Sequence, residues 1–202
     1  MLLASDSVMP SVAGIVTGRS IRGSWWSDAS AREIFAVLTE LEETHELTFL
    51  KLVAGKVTIL HRRLEPALLA IATSGEEWQR AGLPPLAAEL LDAVEREGSL
   101  RLDRTSELAP RKALASAAAQ IERRLLAFAG QEHTERGAHE RTLTTWRQWA
   151  RERELDPSKA KLDECKRAFE DCLATWPPAD RGASLLPWND PPSRRTRPRS
   201  AR

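Results

Sequence analysis

The sequence predicts an α+β fold, mostly α, made of small helical lobes that each carry a short β-hairpin. Residues 86–139 supply the first reason. Leu86, Leu90, Leu91 and Val94 recur at i, i+4, i+5 and i+8, one face of an amphipathic helix, and Gly98 ends it. Ser99-Leu100-Arg101-Leu102-Asp103 then alternates polar with apolar, the pattern of a half-buried strand. Residues 103–109 fit a short helical turn, and Pro110 suits the first position of the next helix, whose apolar stripe is Leu114, Ala118, Ile121 and Leu125. A strand running into a polar loop follows. Helix, strand, short helix, longer helix, strand and loop is the order of a winged helix-turn-helix, in which the second helix of the pair can lie in a DNA groove.

The second reason lies in the N-terminal half. Ser30-Ala31-Arg32-Glu33 is a capping-box pattern, and Ile34, Phe35, Val37, Leu38 and Leu41 continue it as an amphipathic helix. Residues 46–53 and 56–61 read as two strands around Ala54-Gly55. A two-residue hairpin there sets Leu52 opposite Val57 and Leu50 opposite Ile59 on one face, with Lys51 and Thr58 sharing the other. The third reason is an internal echo: residues 32–52 run helix then strand, and residues 112–130 repeat that order at similar spacing. Two winged-helix lobes in tandem, with short hairpin wings and C-terminal helices, account for both halves.

The remaining elements follow from local chemistry. Residues 1–17 read as a weakly structured leader, residues 18–75 as the N-terminal helix-and-hairpin lobe, and residues 76–155 as the winged-helix lobe. Pro66 starts a helix to about Thr73, and residues 75–85 read as a connector holding Trp78. From Ala138 the pattern reads as helical again, with Leu143, Trp146, Trp149 and Ala150 on one side. Asp156-Pro157 breaks it, and a last helix spans residues 156–176. Residues 177–202 are rich in Pro, Arg and Ser and read as a disordered basic tail, with Trp188 a local anchor.

Composition narrows the function classes. Hydrophobic residues at 42% and charged residues at 29% describe a soluble globular chain. No apolar run approaches the roughly 20 residues that span a bilayer, and no basic residue precedes the mildly apolar N-terminus, so no membrane partner and a cytoplasmic location are expected. Cys165 and Cys172, seven residues apart on a helix, would stand about 10.5 Å apart along its axis, too far for a disulfide. Their spacing matches no zinc pattern, and neither a metal nor a cofactor is expected. The net charge of +1 hides an asymmetry. Five arginines (194, 195, 197, 199 and 202) and no acid lie in residues 193–202, which leaves 25 basic against 29 acidic residues, −4, elsewhere. DNA affinity must then come from local patches or from the tail.

Several local patches qualify. On the helix after Pro110, the face opposite the apolar stripe holds Lys112, Ser116, Ala119, Gln120 and Arg123. Small residues let a helix approach a groove, Lys and Arg reach phosphates, and Gln pairs with adenine. His61, Arg62 and Arg63 close the first hairpin with a cationic cluster suited to phosphate. Arg22 with Trp25 and Trp26 could stack a single-stranded or flipped base, although adjacent tryptophans more often pack between lobes. Residues 131–139, containing Glu132, His133 and His139, form the densest polar stretch. Glu132 and His133 are the acid–base candidates there, weighed against a capped loop before the next helix.

Ile121-Glu122-Arg123-Arg124-Leu125-Leu126, preceded by the winged-helix order, resembles the winged-helix proteins related to AlkZ/YcaQ DNA glycosylases. Arg22-Gly23-Ser24-Trp25-Trp26, Gly55-Lys56-Val57-Thr58, His61-Arg62-Arg63-Leu64 and Pro66-Ala67-Leu68 resemble small bacterial proteins labelled AlkZ-related. The resemblance covers about residues 22–151. It implies tandem winged helices around a DNA-binding concavity and, in the enzymes, excision of alkylated or crosslinked bases. The family's catalytic signature is two glutamines separated by one residue. The glutamines here are 79, 120, 131 and 148, so no catalytic residue carries over. The expected function is therefore DNA binding connected with repair. Hydrolysis of N-glycosidic bonds and a protein-interaction module without DNA binding are the alternatives.

Overall fold

A computed structural model describes residues 10–21, 24–133, 139–175 and 183–189, with backbone alone at 131–133, 139 and 140. Among these residues the chain is α+β and mostly helical, with small antiparallel sheets. It divides into two compact units, Met1–Leu68 with Pro157–Asn189 and Leu69–Asp156 with Asp190–Arg202.

In the first unit, α1 (Val12–Thr17) lies within the stretch expected to be a leader. Ser11 Oγ caps it by accepting from the Gly14 N–H at 3.0 Å, and Val12 and Ala13 are buried, which offsets the entropy of ordering so short a helix. A 3₁₀ turn at Trp25–Ser27 leads to α2 (Ala31–Glu43). The expected capping box is not formed. Ser30 has φ −89° and ψ 15°, not the extended backbone from which a cap side chain reaches into the first turn. Asp28 acts instead: Oδ1 accepts from the Ser30 N–H at 3.1 Å and Oδ2 from Arg19 Nη2 at 2.6 Å. The Ser30 N–H first and Arg19 second hold the Asp28 carboxyl below its ordinary range.

Strands β1 (Leu47–Lys51) and β2 (Val57–His61) pair antiparallel, with Phe49 opposite Ile59, Leu50 opposite Thr58 and Lys51 opposite Val57. This register is one residue away from the expected one, because the connection is longer than a two-residue turn. Residues 52–56 make a 3₁₀ turn with Ala54 (φ 54°) and Gly55 (φ 69°) both left-handed, and Lys56 N–H donates to the Val53 carbonyl. A one-residue slip exchanges the faces. Thr58 therefore lies on the face of Leu50 and is buried, its Oγ1 accepting from the Val53 N–H, rather than sharing a face with Lys51. Ile59 joins a core with Val12, Ala13, Ile21, Trp25, Ile34 and Leu38.

Next comes α3 (Glu65–Ala72), whose buried Glu65 carboxylate accepts from the Thr48 hydroxyl. In α8 (Leu162–Ala174), Cys165 is buried, Cys172 is half-buried and both are free thiols. Residues 183–189 fall in the expected disordered tail but are packed. Leu186 is fully buried, the Leu185 carbonyl accepts from Ala54 N–H at 2.9 Å, and Trp188 Nε1 donates to Glu170 at 3.1 Å. Burial of Leu186 supplies the apolar gain that the composition of the tail as a whole lacks.

The second unit runs α4 (Glu77–Arg80), α5 (Pro85–Glu97), β3 (Ser99–Arg101), a 3₁₀ turn at Leu102–Thr105, α6 (Arg111–Arg123), β4 (Phe128–His133), β5 (His139–Thr144) and α7 (Trp146–Glu152). The sheet order is β3-β5-β4, all antiparallel. Two expectations need correction. The connector at 75–85 contains α4, with Gln79 buried and its Nε2 bonded to the Ala72 carbonyl at 2.9 Å. Residues 139–144 are a strand rather than helix: Leu143 is opposite both Leu100 and Ala129, and being fully buried in the central strand outweighs its helical spacing to Trp146. The helix begins only where Thr145 Oγ1 accepts from the Gln148 N–H. The core joins Leu90, Leu91 and Val94 of α5 to Ala117, Ala118 and Ile121 of α6, and the alanines let the helices approach closely.

Candidate nucleic-acid interface

The apolar stripe of α6 is buried as its spacing requires: Leu114, Ala118 and Ile121, with Leu125 just beyond the helix, are each at most 2% exposed. The opposite face is thereby turned to solvent. Lys112, Ser116 and Ala119 are exposed, and Gln120 and Arg123 are half-buried. At about 100° per residue, Lys112, Ser116, Ala119 and Arg123 fall within a single arc about 16 Å long. Arg111 adds an exposed cation in the first turn. The helix's one carboxylate, Glu122, is buried. The outer face of α6 therefore carries cations, a hydroxyl, a methyl and an amide, with no exposed acid.

The end of α6 is fixed by a buried polar cluster. Arg124 is 3% exposed, and its guanidinium donates to the carbonyls of Ala81 at 2.6 Å and Gly82 at 3.3 Å, just past the C-terminus of α4. A cation at a helix's negative end is favourable, but desolvation first and neighbouring Arg123 second lower this guanidinium's pKa from its ordinary value. Leu125 then takes a left-handed backbone (φ 52°), and its carbonyl accepts from Trp146 Nε1 at 2.7 Å. This turn sends the chain from α6 into β4. Nothing in the sequence marked Arg124 apart from Arg123. Only the packed structure separates the buried arginine from the half-exposed one.

The other candidate positions are distributed differently. In the first unit, His61, Arg62 and Arg63 are exposed. His61 Nε2 stands 3.3 Å from Glu46, and its Nδ1 accepts from the Arg63 N–H, so this cluster carries its own counter-charge. Trp25 is 7% exposed and belongs to the core, so the solvent-facing ring of the pair is Trp26. Arg22 lies outside the described residues. In the second unit, the backbones of Glu132 and His133 are in β4, opposite Glu140 and His139. The expected loop is thus the connection of a β-hairpin rather than the approach to a helix, and residues 134–138 lie outside the described residues.

A cleft of about 400 Å³ beside β3 is lined by Arg96, Arg101 and Arg104 but also by Glu97 and Glu107, so it favours neither sign of ligand. Among the described residues, no cluster of three or more His, Cys, Asp or Glu could hold a metal ion, and no helix is long and apolar enough to cross a membrane. The chain matches no protein-family model, no curated protein and no solved structure.

Proposed function

We propose that residues 85–144 form a winged helix-turn-helix and bind duplex DNA, with α6 as the helix presented to the groove. The observation that carries this reading is the outer face of α6, where Lys112, Ser116, Ala119, Gln120 and Arg123 meet solvent without an exposed carboxylate. Support comes from the element order around it and from the sheet order β3-β5-β4, which is compatible with the β4–β5 hairpin serving as a wing. Lys112, Arg111 and Arg123 would neutralise phosphates, and Gln120 is the side chain on this face whose amide matches the bidentate pattern of adenine. The first unit, whose described strands form a two-stranded sheet, is outside this reading. No reaction is assigned, because no paired glutamines are present.

Three phosphate contacts give a salt slope of about −2.7, so affinity should fall about 40-fold between 50 and 200 mM salt. The test is fluorescence anisotropy of a labelled duplex with three proteins: the full chain, Lys112→Glu/Ser116→Glu, and a chain ending at residue 192. The double variant should bind at least about tenfold more weakly. Unchanged binding by that variant, with binding lost on removal of residues 193–202, would place the affinity in the tail and sink the reading.

A further inference from the structure

Two aromatic rings in the first unit are left at the surface together. Trp26 is 61% exposed and Phe35 53% exposed, and their centroids are 5.7 Å apart at an interplanar angle of 42°. Trp26 is held in place, because it stacks on core residue Trp25 at 3.9 Å. A rigid, backed aromatic loses little side-chain entropy on binding, the property of an interface anchor.

A second feature lies on the same side of α2. Glu42 is seven residues from Phe35, about 10.5 Å along the axis and nearly in line with it, and Glu43 adjoins. Both are exposed in the last turn, which has no basic residue. Carboxylates there oppose the negative end of the helix dipole, an arrangement that an external cation would relieve. Between the aromatic end and the acidic end stand small Ala36 and Thr39. Glu42 and Glu43 lie within about 80° of Phe35 around the axis, where Arg32 is the one cation and stands at the aromatic end, and Glu33 and Glu40 are exposed farther round α2. Nucleic acid, an anionic bilayer or the same face of a second copy would bring negative charge to negative charge.

We propose that this face of α2 is a docking site for a basic amphipathic helix of a partner protein. An apolar side chain of the partner covers Trp26 and Phe35, and Lys or Arg two turns along meets Glu42 and Glu43. A helix laid along α2 places its anchors at i and i+7, the spacing of Phe35 and Glu42.

The experiment uses the full chain with ¹⁵N-labelled tryptophan and an alanine-based helical peptide bearing Leu and Phe at one end and two lysines two turns along. Its counterpart carries glutamates in place of the lysines. The lysine peptide should shift the Trp26 indole N–H saturably and bind about tenfold more tightly than the glutamate peptide. Glu42→Lys/Glu43→Lys should reverse that preference, a readout that a purely structural defect would not give. Phe35→Ser, which keeps the Trp26 reporter, should weaken binding of both peptides at least about tenfold. The proposal is overturned by no saturable shift up to about 1 mM peptide. Equal affinity for the two peptides also overturns it, as does a Trp26 signal that moves with protein concentration alone or with oligo-dT instead.

Discussion

Helices α2 and α6 are alike in length and setting and opposite in surface chemistry. Each has 13 residues, each leads into a β-hairpin, and each is followed by a non-glycine residue in left-handed conformation, His45 at φ 53° and Leu125 at φ 52°. Ile34 and Leu38 bury one side of α2, as Leu114, Ala118 and Ile121 bury one side of α6. The outer faces diverge. α2 shows four glutamates, Arg32 and Phe35, whereas α6 shows Arg111, Lys112 and small residues. The ends diverge too: α2 stops with exposed carboxylates and no basic residue in its last turn, and α6 stops at a buried arginine spanning to Ala81 and Gly82. On the two proposals made above, the same element order would carry two recognition chemistries, set by the charge on the exposed arc rather than by the order of helix and hairpin.

The comparison breaks most completely if either helix loses its core side. Ile34→Ala and Ile121→Ala, both fully buried, should each cost about 2–5 kcal/mol in urea denaturation. Hydrogen exchange should rise chiefly in the unit that carries the substitution. Next in size is Arg124→Met, which strips donors from the Ala81 and Gly82 carbonyls and should destabilise by about 1–3 kcal/mol. Equal stability of this variant would mean that an apolar side chain closes that end of α6 as well as the cation does.

Charge changes sharpen the comparison at lower cost. Lys112→Ala should reduce the magnitude of the DNA salt slope by about 1 unit, measured by anisotropy across a salt series. Glu40→Lys/Glu43→Lys on α2 should leave that slope unchanged, and a comparable effect from both helices would erase the division of labour. The smallest effect concerns the entry to α2. Because the Asp28 carboxyl is lowered in the folded chain, its contribution is present above about pH 4, the unfolded value, and is lost as pH falls through the folded value. Asp28→Asn should lower Tm slightly at pH 7, by an amount that shrinks as the pH falls below about 4. A difference persisting at the acid end would show that shape, and not charge, matters there.

Elements with long regular spacing were legible in the sequence. Pro85–Glu97 and Arg111–Arg123 lie where the apolar period puts them, since buried faces at 3.6-residue intervals leave few alternatives. Leu143 shows the limit. Its spacing to Trp146 and Trp149 fits a helix, but its partners Leu100 and Ala129 are far away in sequence, and only their convergence makes it the middle of a sheet. The hairpin register failed for a local reason. Ala54 in left-handed conformation is not a residue from which a longer turn is read. Among the candidate residues, the solvent exposure of Lys112 and Ser116 was legible because they sit opposite an evident apolar stripe. Trp25 and Trp26 were not separable, since adjacent identical side chains carry no sign of which one the core will take.

By itself the sequence determined the α+β, mostly helical class, both 13-residue helices with their buried sides, and the charge of each outer face, because these depend on spacing within one segment. The tertiary structure decided what depends on distant partners. It made residues 139–144 the central strand, sent Trp25 inward and left Trp26 exposed, buried Arg124 beside Arg123, and packed Leu186 of an otherwise polar tail. The physical reason is common to all four. Burial is shared between segments far apart in the chain, and a residue's own neighbours do not record which of several apolar or charged side chains will find that shared space.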